Sequence, residues 1–113
     1  MKDLDLERRC LATLQRVSRA EFLTPATILR SFSKASGISQ EHILGKRKTY
    51  DLALVRHFFF FALYSCLQIS QNRISTLYHK DHTSIMYACR RIEPLFEDYR
   101  DENHNETFPI LSG

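Results

Sequence analysis

The stretch LALVRHFFFFALYSCL, from Leu52 to Leu67, places the strongest constraint on how this chain can fold. Leu52, Val55, Phe59 and Leu63 recur at helical spacing, and Phe58, Phe60 and Phe61 carry the apolar surface around most of the circumference. A helix apolar on most sides belongs at the centre of a bundle or partly in an oligomer contact. The run is shorter than a membrane span and is broken by Arg56 and His57, so it reads as a buried helix. The 113 residues suffice for one core around it and not comfortably for two, which predicts a single domain. Only 3 Gly and 3 Pro interrupt the chain, so the expected fold class is all-α, a helical bundle about this central helix.

The flanking sequence supplies the partners for that helix. An amphipathic helix is expected from about Leu4 to Glu21, with Leu6, Cys10, Leu14 and Val17 on one face and Arg8, Arg9, Arg16 and Arg19 elsewhere. In FLTPATILRSFSKASG, Thr24 suits an N-cap, Pro25 the first helical position and Gly37 the stop, with Ile28, Leu29 and Phe32 facing inward. ISQEHILG reads as a short helix capped by Ser39 and ended by Gly45, followed by the basic loop KRKT. Beyond the central helix, ISQNRISTLY predicts another short helix starting at Ser70, then a tight turn HKD. The last helix carries Ile85, Cys89, Ile92, Phe96 and Tyr99 on one face; Pro94 predicts a kink or restart near Glu93. The segment 101–113, DENHNETFPILSG, lacks periodicity and is expected to form an irregular acidic tail.

Charge is unevenly placed. Between Lys46 and Arg91 there are eight bases against Asp51 and Asp81, whereas between Glu93 and Glu106 six acids face Arg100 alone. A basic middle followed by an acidic tail points either to a polyanion-binding surface or to an ordinary solvated charged face. The cysteines, Cys10, Cys66 and Cys89, are odd in number and far apart; they fit reduced core residues of a cytoplasmic protein better than a disulfide framework or a zinc ribbon. The amino terminus MKDLDLERRC has acids and bases where a signal peptide would have an apolar run.

Two short helices joined by a tight turn, the second opening KDHTS, make a helix-turn-helix, a motif that presents the first turn of its second helix to the DNA major groove. Lys80 can reach a phosphate or a guanine edge, and His82 can donate or accept at a base. Thr83 offers a hydroxyl and a methyl. Asp81 either accepts from a cytosine amino group or caps its own helix. Ser84 and Tyr87 lie where hydroxyls reach bases or backbone, and Arg90 and Arg91 lie one to two turns on for phosphates.

From Ile43 to Glu93 the chain resembles the carboxy-terminal DNA-binding domain, domain IV, of the bacterial replication initiator DnaA. The resemblance rests on the basic loop after a short helix, the long helix, and a recognition helix that opens Lys80-Asp81-His82-Thr83-Ser84 and continues to Arg90-Arg91-Ile92-Glu93. It extends from Leu23 to about Arg100. The fold it implies is a DnaA domain IV-like bundle, similar to the Trp repressor, with the helix before Leu23 as an addition. By resemblance, Asp81, His82 and Thr83 contact bases beside Lys80 and Ser84. Arg47 and Lys48 of the loop enter the adjacent minor groove, and Arg56 contacts the DNA backbone; Lys46, Arg73, Tyr87, Arg90 and Arg91 are the further candidates for phosphate contact. Lys48 stands where the family carries an arginine, and His79 stands alone where it commonly has Gly-Gly, which shortens the turn by one residue. No G-x-x-x-x-G-K-[ST] occurs in these residues, so the ATPase module of the initiator is not expected here.

The implied partner is double-stranded DNA, in replication control or transcriptional regulation in the bacterial cytoplasm or nucleoid, with no cofactor, metal, nucleotide or membrane. His79 and His82 lack further ligands nearby in sequence, and Cys89 lies on an apolar face, so neither a zinc site nor an enzyme is expected. The rival reading is a protein-interaction or homodimerisation module that kept the fold, using the amino-terminal helix or the phenylalanine-rich helix.

Overall fold

The computed structural model describes residues 4–107, and side-chain surroundings as far as Asn103. Among these the elements are α1 (Leu4–Arg19), α2 (Pro25–Ser36), α3 (Gln40–Leu44), α4 (Tyr50–Cys66), α5 (Gln71–Tyr78) and α6 (His82–Thr107), with no strand.

The helix ends follow local chemistry. Thr24 caps α2 in a reciprocal box: its hydroxyl accepts from Thr27 N–H at 3.1 Å while its own N–H donates to Thr27 Oγ1 at 3.0 Å. Gly37 ends α2 in the left-handed region at φ 76°, where a Cβ would be strained. Ser39, Thr49 and Ser70 cap α3, α4 and α5 by accepting from the N–H of His42, Leu52 and Arg73 respectively.

Helix α4 packs against all five of the others. Phe58, Phe59, Phe60 and Phe61 are each buried, as are Leu54, Val55 and Leu63, which is why its apolar surface has no favoured side. Phe32 of α2, Ile43 of α3, Ile74 of α5 and Ile85, Cys89, Ile92 and Phe96 of α6 close on it from successive directions. Helix α1 joins the same core through Leu6, Cys10, Leu11, Leu14 and Val17, packing on α2, α4 and α6. Burial pushes the thiol of Cys10 up to about 12 and that of Cys89 up to about 11, so both stay protonated and apolar at neutral pH.

Two expectations for the last helix are corrected. It does not restart at Pro94: α6 runs unbroken through this residue, which is exposed, as is Arg90, whose carbonyl is left without its helical N–H donor by the proline. Nor is the tail irregular from 101: α6 continues to Thr107, while 108–113 lie outside the described residues. The continuation has a support the periodicity did not reveal. Leu95 and Tyr99 line one cleft with Leu11 of α1, Arg8 stands 3.9 Å from Glu102, and the Asn103 side chain donates to Tyr99 O at 2.7 Å.

Candidate nucleic-acid interface

Helices α5 and α6 are joined by His79, Lys80 and Asp81. His79 takes the left-handed conformation, φ 55° and ψ 47°, that a glycine would adopt at less cost. The turn is closed around Ser75, whose carbonyl accepts from Lys80 N–H at 3.0 Å and whose hydroxyl donates back to the Lys80 carbonyl. With His79 alone in the left-handed conformation, the turn is therefore still closed by hydrogen bonds.

Asp81 stands at the head of α6, its carbonyl accepting from Ile85 N–H at 3.2 Å. Its carboxylate makes no hydrogen bond among the described residues, so the capping alternative is not realised and the group faces solvent. His82, Thr83 and Ser84 are likewise exposed and have no partner among the described residues. Four polar side chains with unused hydrogen-bonding capacity thus crown the free amino-terminal end of a long helix, where the unsatisfied N–H groups and the helix dipole favour anions. The inner side of the same helix, Ile85, Ala88, Cys89 and Ile92, is fully occupied by the core.

The basic loop lies beside this turn. Lys46, Lys48, His79, Lys80, Asp81 and Ser84 contribute to one cleft of about 420 Å³ between the loop, α4 and the start of α6. Lys46, Arg47 and Lys48 are exposed, whereas Lys80 is half-buried with Nζ donating to Gly45 O at 3.0 Å. Burial, followed by repulsion from Arg56, Lys46 and Lys48, lowers the pKa of Lys80.

The remaining cations divide. Arg73 and Arg90 are exposed, and the Tyr87 ring is 59% exposed while meeting His57 edge-on at 5.4 Å. Arg91 is half-buried, shares a hydrogen bond with His57 Nδ1 at 3.1 Å and lies over the Tyr50 ring at 5.3 Å. The His57 pKa falls to about 4, first through burial and then through Arg91 and Arg56, so its ring is neutral and its Nδ1 can accept from Arg91.

Arg56 departs from the expected phosphate role. It is buried, and its guanidinium donates to three backbone carbonyls: Nε to Ile43 at 2.6 Å, Nη1 to Arg47 at 2.8 Å and Nη2 to His42 at 3.0 Å. A five-residue helix such as α3 leaves its last carbonyls without helical donors, and the planar fork of arginine satisfies them from α4. The signal was present in the sequence as a charged residue inside an otherwise apolar helix, which needs hydrogen-bond partners wherever it is buried.

The two surfaces considered for a dimer or protein partner are occupied within the chain. The apolar face of α1 and all four phenylalanines of α4 are buried in the common core. Among the described residues no three His, Cys, Asp or Glu side chains are grouped as metal ligands, and no helix is long and apolar enough to cross a membrane.

A short helix, a closed turn and a long helix with an exposed polar start, backed by a basic loop, define the helix-turn-helix class of protein. Within that class, the chain belongs to the family described as the bacterial dnaA protein helix-turn-helix, whose model matches residues 25–92. It is 33% identical over 85 residues to chromosomal replication initiator protein DnaA 1 of Chlamydia pneumoniae, covering 73% of this chain and 18% of that protein. Against the chromosomal replication initiator protein DnaA of Ruegeria sp. (strain TM1040) it is 31% identical over 97 residues, covering 82% and 20%. The chain therefore spans about a fifth of the length of these curated relatives. No solved structure matches it.

Proposed function

We propose that this protein binds double-stranded DNA sequence-specifically, with the first turn of α6 in the major groove and the basic loop at the adjacent minor groove. Asp81, His82, Thr83 and Ser84 read base edges, Arg47 and Lys48 enter the minor groove, and Lys46, Arg73, Tyr87 and Arg90 meet the backbone. The observation that carries this reading is the row of exposed, unpartnered polar side chains at the head of α6, set beside a loop of three exposed cations. Membership of the DnaA helix-turn-helix family supports it. The biological setting is replication control or transcriptional regulation at sites that this helix selects.

The test is duplex binding as a function of salt. Five exposed cations in the proposed contact set, Lys46, Arg47, Lys48, Arg73 and Arg90, predict a log–log slope of about −4 to −5 for duplex DNA. Binding that is undetectable, or insensitive to salt, removes the proposal.

A further inference from the structure

Lys80 differs from its neighbours in the turn. Its Nζ reaches across 35 residues of sequence to the Gly45 carbonyl, while its own backbone is tied on both sides to Ser75. A single residue thereby joins the end of α5, the entry to α6 and the start of the basic loop. Two residues further on, the loop is held again, this time from α4, where Arg56 Nη1 donates to Arg47 O at 2.8 Å. The loop's path beside the recognition helix is thus pinned at two carbonyls, one on each side of Lys46.

No described carboxylate is ion-paired with these cations; the ion pairs among the described residues are Arg8–Glu102 and Arg9–Asp5. Repulsion from Lys46, Lys48 and Arg56 would drive a loosely held ammonium into solvent, so the carbonyl acceptor is what keeps it in the cleft. A base-reading lysine would extend outward with Asp81 and His82, whereas this one points back to the loop.

We propose that Lys80 is a positioning residue that fixes the separation between the minor-groove loop and the major-groove helix, and thereby the spacing between the two parts of the DNA site. The proposal rests on the DNA-binding reading above. Without the Lys80 bond the loop stays attached to α4 through Arg56 but is free to shift relative to the turn. Phosphate contacts then persist while the spacing requirement relaxes.

The test compares wild type, Lys80→Met and Lys80→Arg in selection from duplexes with a randomised centre, and in amide exchange of residues 45–48 without DNA. Wild type should enrich a two-part motif at one spacing and reject a one-base-pair insertion by roughly tenfold or more, the scale of one hydrogen bond from a charged donor. Lys80→Met should exchange faster at the loop and accept both spacings nearly equally; Lys80→Arg, which can still donate to Gly45 O, should behave as wild type. Unchanged exchange in Lys80→Met overturns the coupling whether or not DNA is bound. A new base preference at one position with spacing intact overturns it in favour of direct reading. Absence of duplex binding by wild type overturns the DNA-binding reading itself, and the spacing role with it.

Discussion

Replacing Arg56 separates a structural from a DNA-contacting role. In Arg56→Ala the Ile43 carbonyl loses a buried bond from a charged donor, of the kind that contributes about 1.5–3 kcal/mol. The Arg47 and His42 carbonyls lose partly buried bonds and can recruit water; His42 O also keeps the Gly45 N–H at 3.2 Å, so each of these two losses is worth about 0.5–1 kcal/mol. The total is about 2.5–5 kcal/mol, a large share of the roughly 5–15 kcal/mol that holds a domain of this kind together. At roughly 4 °C per kcal/mol, Tm should fall by about 10–20 °C. Arg56→Lys keeps the charge without the planar fork and should recover only part of the loss. Urea titration of both variants, followed by duplex binding under conditions where each is fully folded, reads out the distinction. If Arg56→Ala leaves stability within about 0.5 kcal/mol of wild type and lowers the salt slope by about 0.9, Arg56 is an exposed phosphate contact and the buried role is wrong.

Two further outcomes concern the recognition helix and its support. His82→Ala should cost about 1–3 kcal/mol on a selected duplex and little on random duplex, by competition binding; equal losses on both would make His82 a backbone or structural residue. His57 ties stability to pH: its folded-state pKa of about 4 lies below the unfolded value of about 6.5, so the unfolded chain binds the extra proton first and stability present above pH 6.5 is lost as pH falls toward 4. The ring is only half-buried, which reduces the loss to about 1–2 kcal/mol. His57→Gln, which can still accept from Arg91, should flatten that part of the urea-midpoint profile, and an unchanged profile would assign the acid sensitivity elsewhere.

Local chemistry was legible where it depends on neighbours in sequence. The hydroxyl caps Thr24, Ser39 and Ser70, the glycine stop at Gly37 and the inward stripe of α6 follow from spacing and residue type, because the groups that satisfy them lie within a few positions. The exposed DHTS turn belongs with these, since polar side chains opening a helix whose inner stripe is apolar have nowhere else to face. The contacts that Arg56 and Lys80 make within the chain were not legible, for the opposite reason. Their partners lie 9 to 35 residues away, and a cation looks the same in sequence whether it meets a phosphate or a distant carbonyl. The helical course of 101–107 was hidden likewise, because the surface that supports it comes from the other end of the chain.

That distant surface bears on how α1 should be regarded. The family match begins at residue 25, which by itself would make α1 an appendage to a complete module. The packing says otherwise: Leu6, Cys10 and Leu14 are at most 2% exposed and belong to the same core as Phe58 and Ile92. No residue of α1 lines the cleft between the loop and the first turn of α6, so α1 makes no direct contribution to that cleft. Leu14→Ala should therefore cost about 2–5 kcal/mol in a single cooperative urea transition, as expected for a side chain with a fully enclosed site. Its salt slope on duplex DNA should match wild type while the protein is folded. An early, separate transition that leaves the remaining helices as stable as in wild type would instead make α1 an independent appendage and confine the core to the segment that the family shares.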